Sequence, residues 1–201
     1  MMILLRTNAE NIFWLGRYLA RTQALCQAFP FKDNNEAREY AHAFCLAAYD
    51  AATLNELILD ESQPTSFRKQ FQSAIDNIQQ LRGVLSAKAY AELSQLIRHA
   101  KEHRHYICDV VGECQDILEA ESPDIFLFFS LGHSVEQLDS QLRLKQDDSV
   151  TLARIDHIVE SLAALGWDSI MPVWKQLHHH PDHLNYYQFT DHLQFVLGVD
   201  A

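Results

Sequence analysis

Residues 5–21 read Leu5-Arg6-Thr7-Asn8-Ala9-Glu10-Asn11-Ile12-Phe13-Trp14-Leu15-Gly16-Arg17-Tyr18-Leu19-Ala20-Arg21, and this stretch sets the fold class. Thr7 to Glu10 has the spacing of a capping box, with Thr7 expected as N-cap and Glu10 reaching back to its amide. Ile12, Leu15, Leu19 and Cys26 then recur near helical spacing, and Pro30 ends the run. Gly16 interrupts it. A glycine in mid-helix costs about 1 kcal/mol against alanine, so a packing reason is expected, such as two helices crossing closely.

The signature returns later in the chain. Laid on Phe128-Phe129-Ser130-Leu131-Gly132-His133, the segment from Ile12 to Arg17 matches at Phe13/Phe129, Leu15/Leu131 and Gly16/Gly132. Leu19 then meets Val135 and Cys26 meets Leu142. Between the copies the apolar periodicity predicts a helix from about Asn35 to Asp60 and another through Phe67, Ile75 and Leu85, after a turn at 63–65. Ser86 is expected to cap a long helix that nothing but Gly112 interrupts before Pro123. Further helices are expected over Pro123–Gln146 and Val150–Leu165, the second stopped by Gly166. Two short ones follow, around Trp167–His178 and Tyr187–Leu197. No stretch sustains strand alternation. The expectation is an all-α bundle of long antiparallel helices with a weak internal repeat, one unit over 1–201 with repeat halves of about 5–120 and 123–201.

Composition agrees. The 201 residues suffice for a sizeable core, and 48% hydrophobic with 21% charged marks a globular chain. Six Gly and five Pro are too few for a turn-rich β sandwich. The net charge of −11 repels phosphate backbones, which argues against nucleic acid as a partner. The apolar run Ile125–Phe129 is far too short to span a bilayer, and the opening Met1-Met2-Ile3-Leu4-Leu5-Arg6 does not read as a signal peptide. The cysteines, Cys26, Cys45, Cys108 and Cys114, form no CxxC, and on one helix Cys108 and Cys114 point about 120° apart. Reduced thiols and a cytoplasmic protein are expected.

The segment from Leu5 to Arg21 resembles the opening of the bacterial alpha-E domain family, an all-helical domain named for a recurring Glu-Arg motif. Members begin with a similar arginine, an Ala-Glu-Asn stretch, an aromatic pair and Leu-Gly-Arg-Tyr-Leu-Glu-Arg. Pro64-Thr65-Ser66 with Ala74-Ile75-Asp76-Asn77 and Leu81-Arg82 resembles the family's next landmark, and 129–139 fits the later repeat of its Leu-Gly motif. Two departures stand out. The Glu-Arg pair reads Ala20-Arg21 in the first copy and Glu136-Gln137 in the second, and the chain stops soon after 193–197, where the second repeat is expected to continue. The resemblance implies partners: an ATP-grasp ligase-like protein and a transglutaminase-like protein, hence a role in making or modifying a peptide or amide bond.

Glu10, Trp14, Arg17 and Arg21 share a stripe roughly 60° wide on the first helix. Such a face either holds a phosphate or carboxylate of a ligand through its guanidinium forks, or forms interhelical ion pairs. The surviving halves of the motif suggest that Arg21 pairs with Glu136, one bridge where the family has two. His99, Glu102, His103 and His105 contain a Glu-x-x-His, the spacing of di-iron bundles, but no second copy exists and Arg98, Lys101 and Arg104 interleave. A solvated face is the simpler reading, as it is for the 178–183 histidine run. Cys108 and Asp109 with His105 lack any oxyanion motif, and the aromatics Phe126, Phe128, Phe129, Tyr186, Tyr187, Phe189 and Phe195 read as core. No P-loop or GxGxxG is present. The expectation is a non-catalytic accessory or scaffold protein without catalytic residues, metal or cofactor. The alternative is a ligand-binding or enzymatic domain using the Arg17/Arg21 face. A homo-oligomer is left open.

Overall fold

The computed structural model describes residues 4–102 and 106–198, with the backbone alone at 101 and 102. Among the described residues there are ten α-helices and no strand: α1 (Arg6–Ala28), α2 (Asn34–Ala43), α3 (Ala51–Leu59), α4 (Phe67–Gln80), α5 (Ala87–Glu102), α6 (Ile107–Glu119), α7 (Pro123–Leu144), α8 (Ser149–Ala164), α9 (Met171–His179) and α10 (His183–Leu197).

α1 runs through the middle of the bundle, packed against α4, α6, α7 and α10. Its buried residues, Ala9, Ile12, Phe13, Leu15, Gly16, Leu19 and Leu25 among them, therefore lie on several faces rather than one stripe. The capping box at Thr7 does not form. The helix starts at Arg6, behind an N-cap at Leu5 that makes no side-chain bond, and Thr7 lies inside the first turn. α7 begins as expected, with Ser122 before Pro123 at the first helical position, where a missing amide costs nothing.

Two long helices expected from periodicity are each two. The stretch from Asn35 to Asp60 breaks at 44–50, where Cys45 takes a left-handed φ of 54° and Asp50 caps the next helix in a box with Thr53. α2 and α3 then fold against each other over a small separate core of Leu25, Phe31, Ala37, Ala41, Leu54 and Ile58. The stretch from Ser86 to Pro123 divides into α5 and α6, which pack side by side. Gly112 sits within α6 and does not end it.

Short connections return α8 antiparallel to α7, and α4 starts beside the end of α1 with Phe67 against Phe29. The closest pair departs from that pattern. A Cβ built on Gly16 would lie 2.2 Å from the Phe129 carbonyl oxygen, and one on Gly132 would lie 1.9 Å from that of Phe13. Each glycine thus meets the backbone of the phenylalanine three residues before its counterpart. Farther on, Arg17 and Arg21 both meet Glu136, so contacts advance together along both helices. α1 and α7 run parallel about a pseudo-twofold, and the two matched glycines are what let their backbones touch.

One expectation about the thiols is corrected. Cys26 on α1 and Cys108 on α6 form a disulfide, with Cα atoms 5.5 Å apart. A separation of 82 residues carried no sign of it; the docking of α6 on α1 creates it. Closing a loop of that size contributes about 4 kcal/mol in the chain-entropy account. Cys114 is buried, its thiol pushed up to about 12 by burial, and Cys45 is exposed. Protein unfolded without reductant is expected to titrate two thiols, and four after reduction. Four thiols in the unreduced sample would contradict the bond.

Candidate functional site

The Glu136 carboxylate is the meeting point of the two arginines. Arg17 Nε donates to Oε2 at 2.8 Å, while Arg21 grips both oxygens, Nε to Oε1 at 2.5 Å and Nη2 to Oε2 at 2.9 Å. Glu136 is 5% exposed and Arg17 8%, whereas the Arg21 side chain keeps 39% of its surface. Burial opposes a charge on Glu136, but Arg21 and then Arg17 outweigh it and hold the carboxyl below its ordinary range. Burial likewise opposes the charge on Arg21, and Glu136 more than restores it. The stabilisation from Glu136 is therefore complete above the usual carboxylate pKa and is lost as pH falls through the lowered value.

Further side chains complete the cluster. Arg17 Nη2 donates to the Tyr186 hydroxyl at 3.2 Å, and that hydroxyl donates to the Val135 carbonyl at 3.3 Å. The Arg17 guanidinium also lies 5.0 Å from the centre of the Trp14 ring. One turn on, Arg143 bonds Asp139 at 2.9 Å, the Ala43 carbonyl at 3.2 Å and the Tyr187 hydroxyl at 3.1 Å, tying α7 to α2 and α10. Tyr40, on α2, stands over Arg21, and burial pushes its hydroxyl up to about 12.

The four residues singled out from sequence divide accordingly. Arg17, Arg21 and Glu136 come together; Glu10, half-buried two turns earlier, takes no part. Tyr186 was missed, because a tyrosine 169 residues from Arg17 among other aromatics looks like packing. Asp139–Arg143 was legible as an i,i+4 pair. Of the aromatic set, Phe128, Phe129, Tyr186 and Phe189 are core, while Phe126, Tyr187 and Phe195 are exposed. His99 is exposed on α5; His103 and His105, with the side chain of Glu102, lie outside the described residues. Among the described residues no three His, Cys, Asp or Glu groups converge for a metal. Cys108 is consumed by its disulfide. His178, His179, His180 and His183 are exposed around the end of α9 and start of α10.

His133, beside Glu136 on α7, is displaced toward neutrality. Burial first, then Arg154 on α8, pushes it from the usual 6.5 down to about 4, against the opposing pull of Glu136. Between those values the unfolded chain binds the proton and the folded one does not, so stability falls as pH drops through this window. The full loss is roughly 3 kcal/mol at this site. Urea midpoints measured from pH 6.5 to 4 should fall less steeply in His133→Gln than in the parent. Equal slopes would show that His133 titrates alike in the folded and unfolded chain.

Among the described residues no helix is long and apolar enough to cross a membrane. No curated protein and no solved structure matches the chain. A family model does, over residues 4–185, and its description is a predicted alpha-helical domain with a conserved ER motif. The match takes in both glycine-centred helices and the Arg21–Glu136 contact between them, and the chain belongs to the Alpha-E family.

Proposed function

We propose that this chain is a non-catalytic helical accessory protein that works with an ATP-grasp ligase-like enzyme and a transglutaminase-like protein in peptide or amide-bond chemistry. One observation supports it over an anion-binding Arg17/Arg21 face: both guanidiniums are bonded to the buried Glu136. Arg17 and the inner edge of Arg21 are taken up in joining α1 to α7, and the described residues hold no complete set of nucleophile, base and oxyanion donors. A bundle of this kind works through its surface, and a net charge of −11 steers it toward a basic patch on its partner. A ligase of that class consumes ATP, so the proposal includes the cytoplasm as the place of action; it no longer draws on four free thiols. No cofactor and no nucleic acid enter it.

The test is capture. Immobilised protein should retain an ATP-grasp ligase-like protein from the same organism at micromolar concentration, and added salt should weaken the association. Failure to retain it at low salt overturns the proposal.

A further inference from the structure

The pseudo-twofold that lays α1 on α7 has an unequal pair of ion-pair sites. It carries Glu136 onto Ala20, Arg17 onto His133 and Arg21 onto Gln137. On one side the Glu136 carboxylate lies between Arg17 and Arg21. On the other, the position symmetry assigns to a carboxylate carries only the Ala20 methyl, beside His133 and Gln137. A cleft of about 260 Å³ opens there, and both members of three matched pairs line it: Ala20 with Glu136, Arg21 with Gln137, Ala24 with Ser140. The cleft therefore straddles the pseudo-symmetry axis.

Its electrostatics favour an anion. Two guanidiniums share one carboxylate, so the cluster carries an unmatched positive charge, and Arg21, the more exposed of the two, faces the cleft. Glu136 is neutralised by its partners and does not repel a second carboxylate. Gln137 is exposed, with its amide donor free to turn inward. Gln141 lines the same cleft, and its amide oxygen is buried without a partner, an acceptor suited to an N–H of a ligand. The volume lies below the range of about 300–1,000 Å³ typical of drug-sized ligands, which limits the occupant to something small.

We propose that this cleft binds a small carboxylate, the glutamyl side chain of an amino acid or short peptide, in the position that the symmetry reserves for a glutamate at Ala20. Gln137, His133 and the outer N–H groups of Arg21 hold the carboxylate, and Gln141 accepts from the neighbouring amide. The site is independent of the partner reading, since capture of the ligase-like protein and binding of the carboxylate are measured separately and either can fail alone.

Calorimetric titration of the full chain at neutral pH with N-acetyl-L-glutamate, N-acetyl-L-glutamine and inorganic phosphate tests it. The glutamate is expected to saturate the protein, with the isosteric amide at least ~10-fold weaker. Ala20→Glu supplies its own carboxylate to the cleft and should weaken binding at least ~10-fold, and Gln137→Ala about 3-fold or more. Gln137 is at the surface, so its variant carries the test if Ala20→Glu does not fold. The proposal is overturned by no saturation up to ~10 mM, by equal binding of the amide, by phosphate binding as tightly as the glutamate, or by variants that bind like the parent.

Discussion

Glu136→Leu is expected to destabilise the protein by about 3–5 kcal/mol, the cost of leaving a buried charge without its partner. The figure belongs to the upper end because two guanidiniums lose one acceptor, and Arg17, 8% exposed, keeps among the described residues just the Tyr186 hydroxyl as a hydrogen-bond partner. Arg21 can turn toward solvent, so Arg21→Met should cost less. The pairwise change Arg21→Met with Glu136→Leu should not restore stability, because Arg17 stays buried without its carboxylate. Urea unfolding followed by helical circular dichroism reads all three. A loss below about 1 kcal/mol for Glu136→Leu, the scale of an exposed pair, would show that both arginines reach water.

Gly132→Ala should have an effect of similar size. Its new Cβ would sit 1.9 Å from the Phe13 carbonyl oxygen and 2.8 Å from the carbonyl carbon. Those are backbone atoms of a central helix and cannot rotate away, so α1 and α7 must separate. Overpacking costs about 1–3 kcal/mol where side chains can adjust, and about 3 or more is expected here. Gly16→Ala meets the Phe129 carbonyl in the same way. Gly112→Ala is the control: a Cβ there meets nothing within 4 Å, so helix propensity alone acts and the change should stabilise by up to about 1 kcal/mol. Similar stabilities for the Gly132 and Gly112 variants would refute the close crossing.

Much of this arrangement was legible in the sequence for a physical reason. A glycine inside a helical run is costly, so two of them in matching apolar frames implied two helices in close contact, and the offset of 116 residues between the copies placed Arg21 near Glu136. Periodicity was least informative where the chain turns without glycine or proline. The break at Cys45 uses a left-handed cysteine, and the only sequence sign of it was the capping pair Asp50 and Thr53. Thr7 showed the opposite failure, since capping-box spacing appears by chance once a helix has already begun at Arg6. The disulfide and the Arg17–Tyr186 bond depend on which helices dock on α1, a property of the whole bundle that no local pattern encodes. The unequal halves of the motif, Ala20 and Gln137, were visible as departures; their consequence, a cleft on the symmetry axis, required the packing of α2 beside α1 and α7.

The central claim is that the cluster of Arg17, Arg21 and Glu136 builds the α1–α7 interface. The direct measurement is the unfolding free energy of Arg17→Met/Arg21→Met/Glu136→Leu beside that of Glu136→Leu alone. Removing all three charges replaces a buried ion cluster with apolar side chains of similar volume, which is often neutral or stabilising by about 1–4 kcal/mol relative to the intact cluster. The triple variant is therefore predicted to regain most of the stability that the single one loses. A triple variant no more stable than Glu136→Leu would contradict the claim, because the loss would then come from something other than the two arginines deprived of their carboxylate.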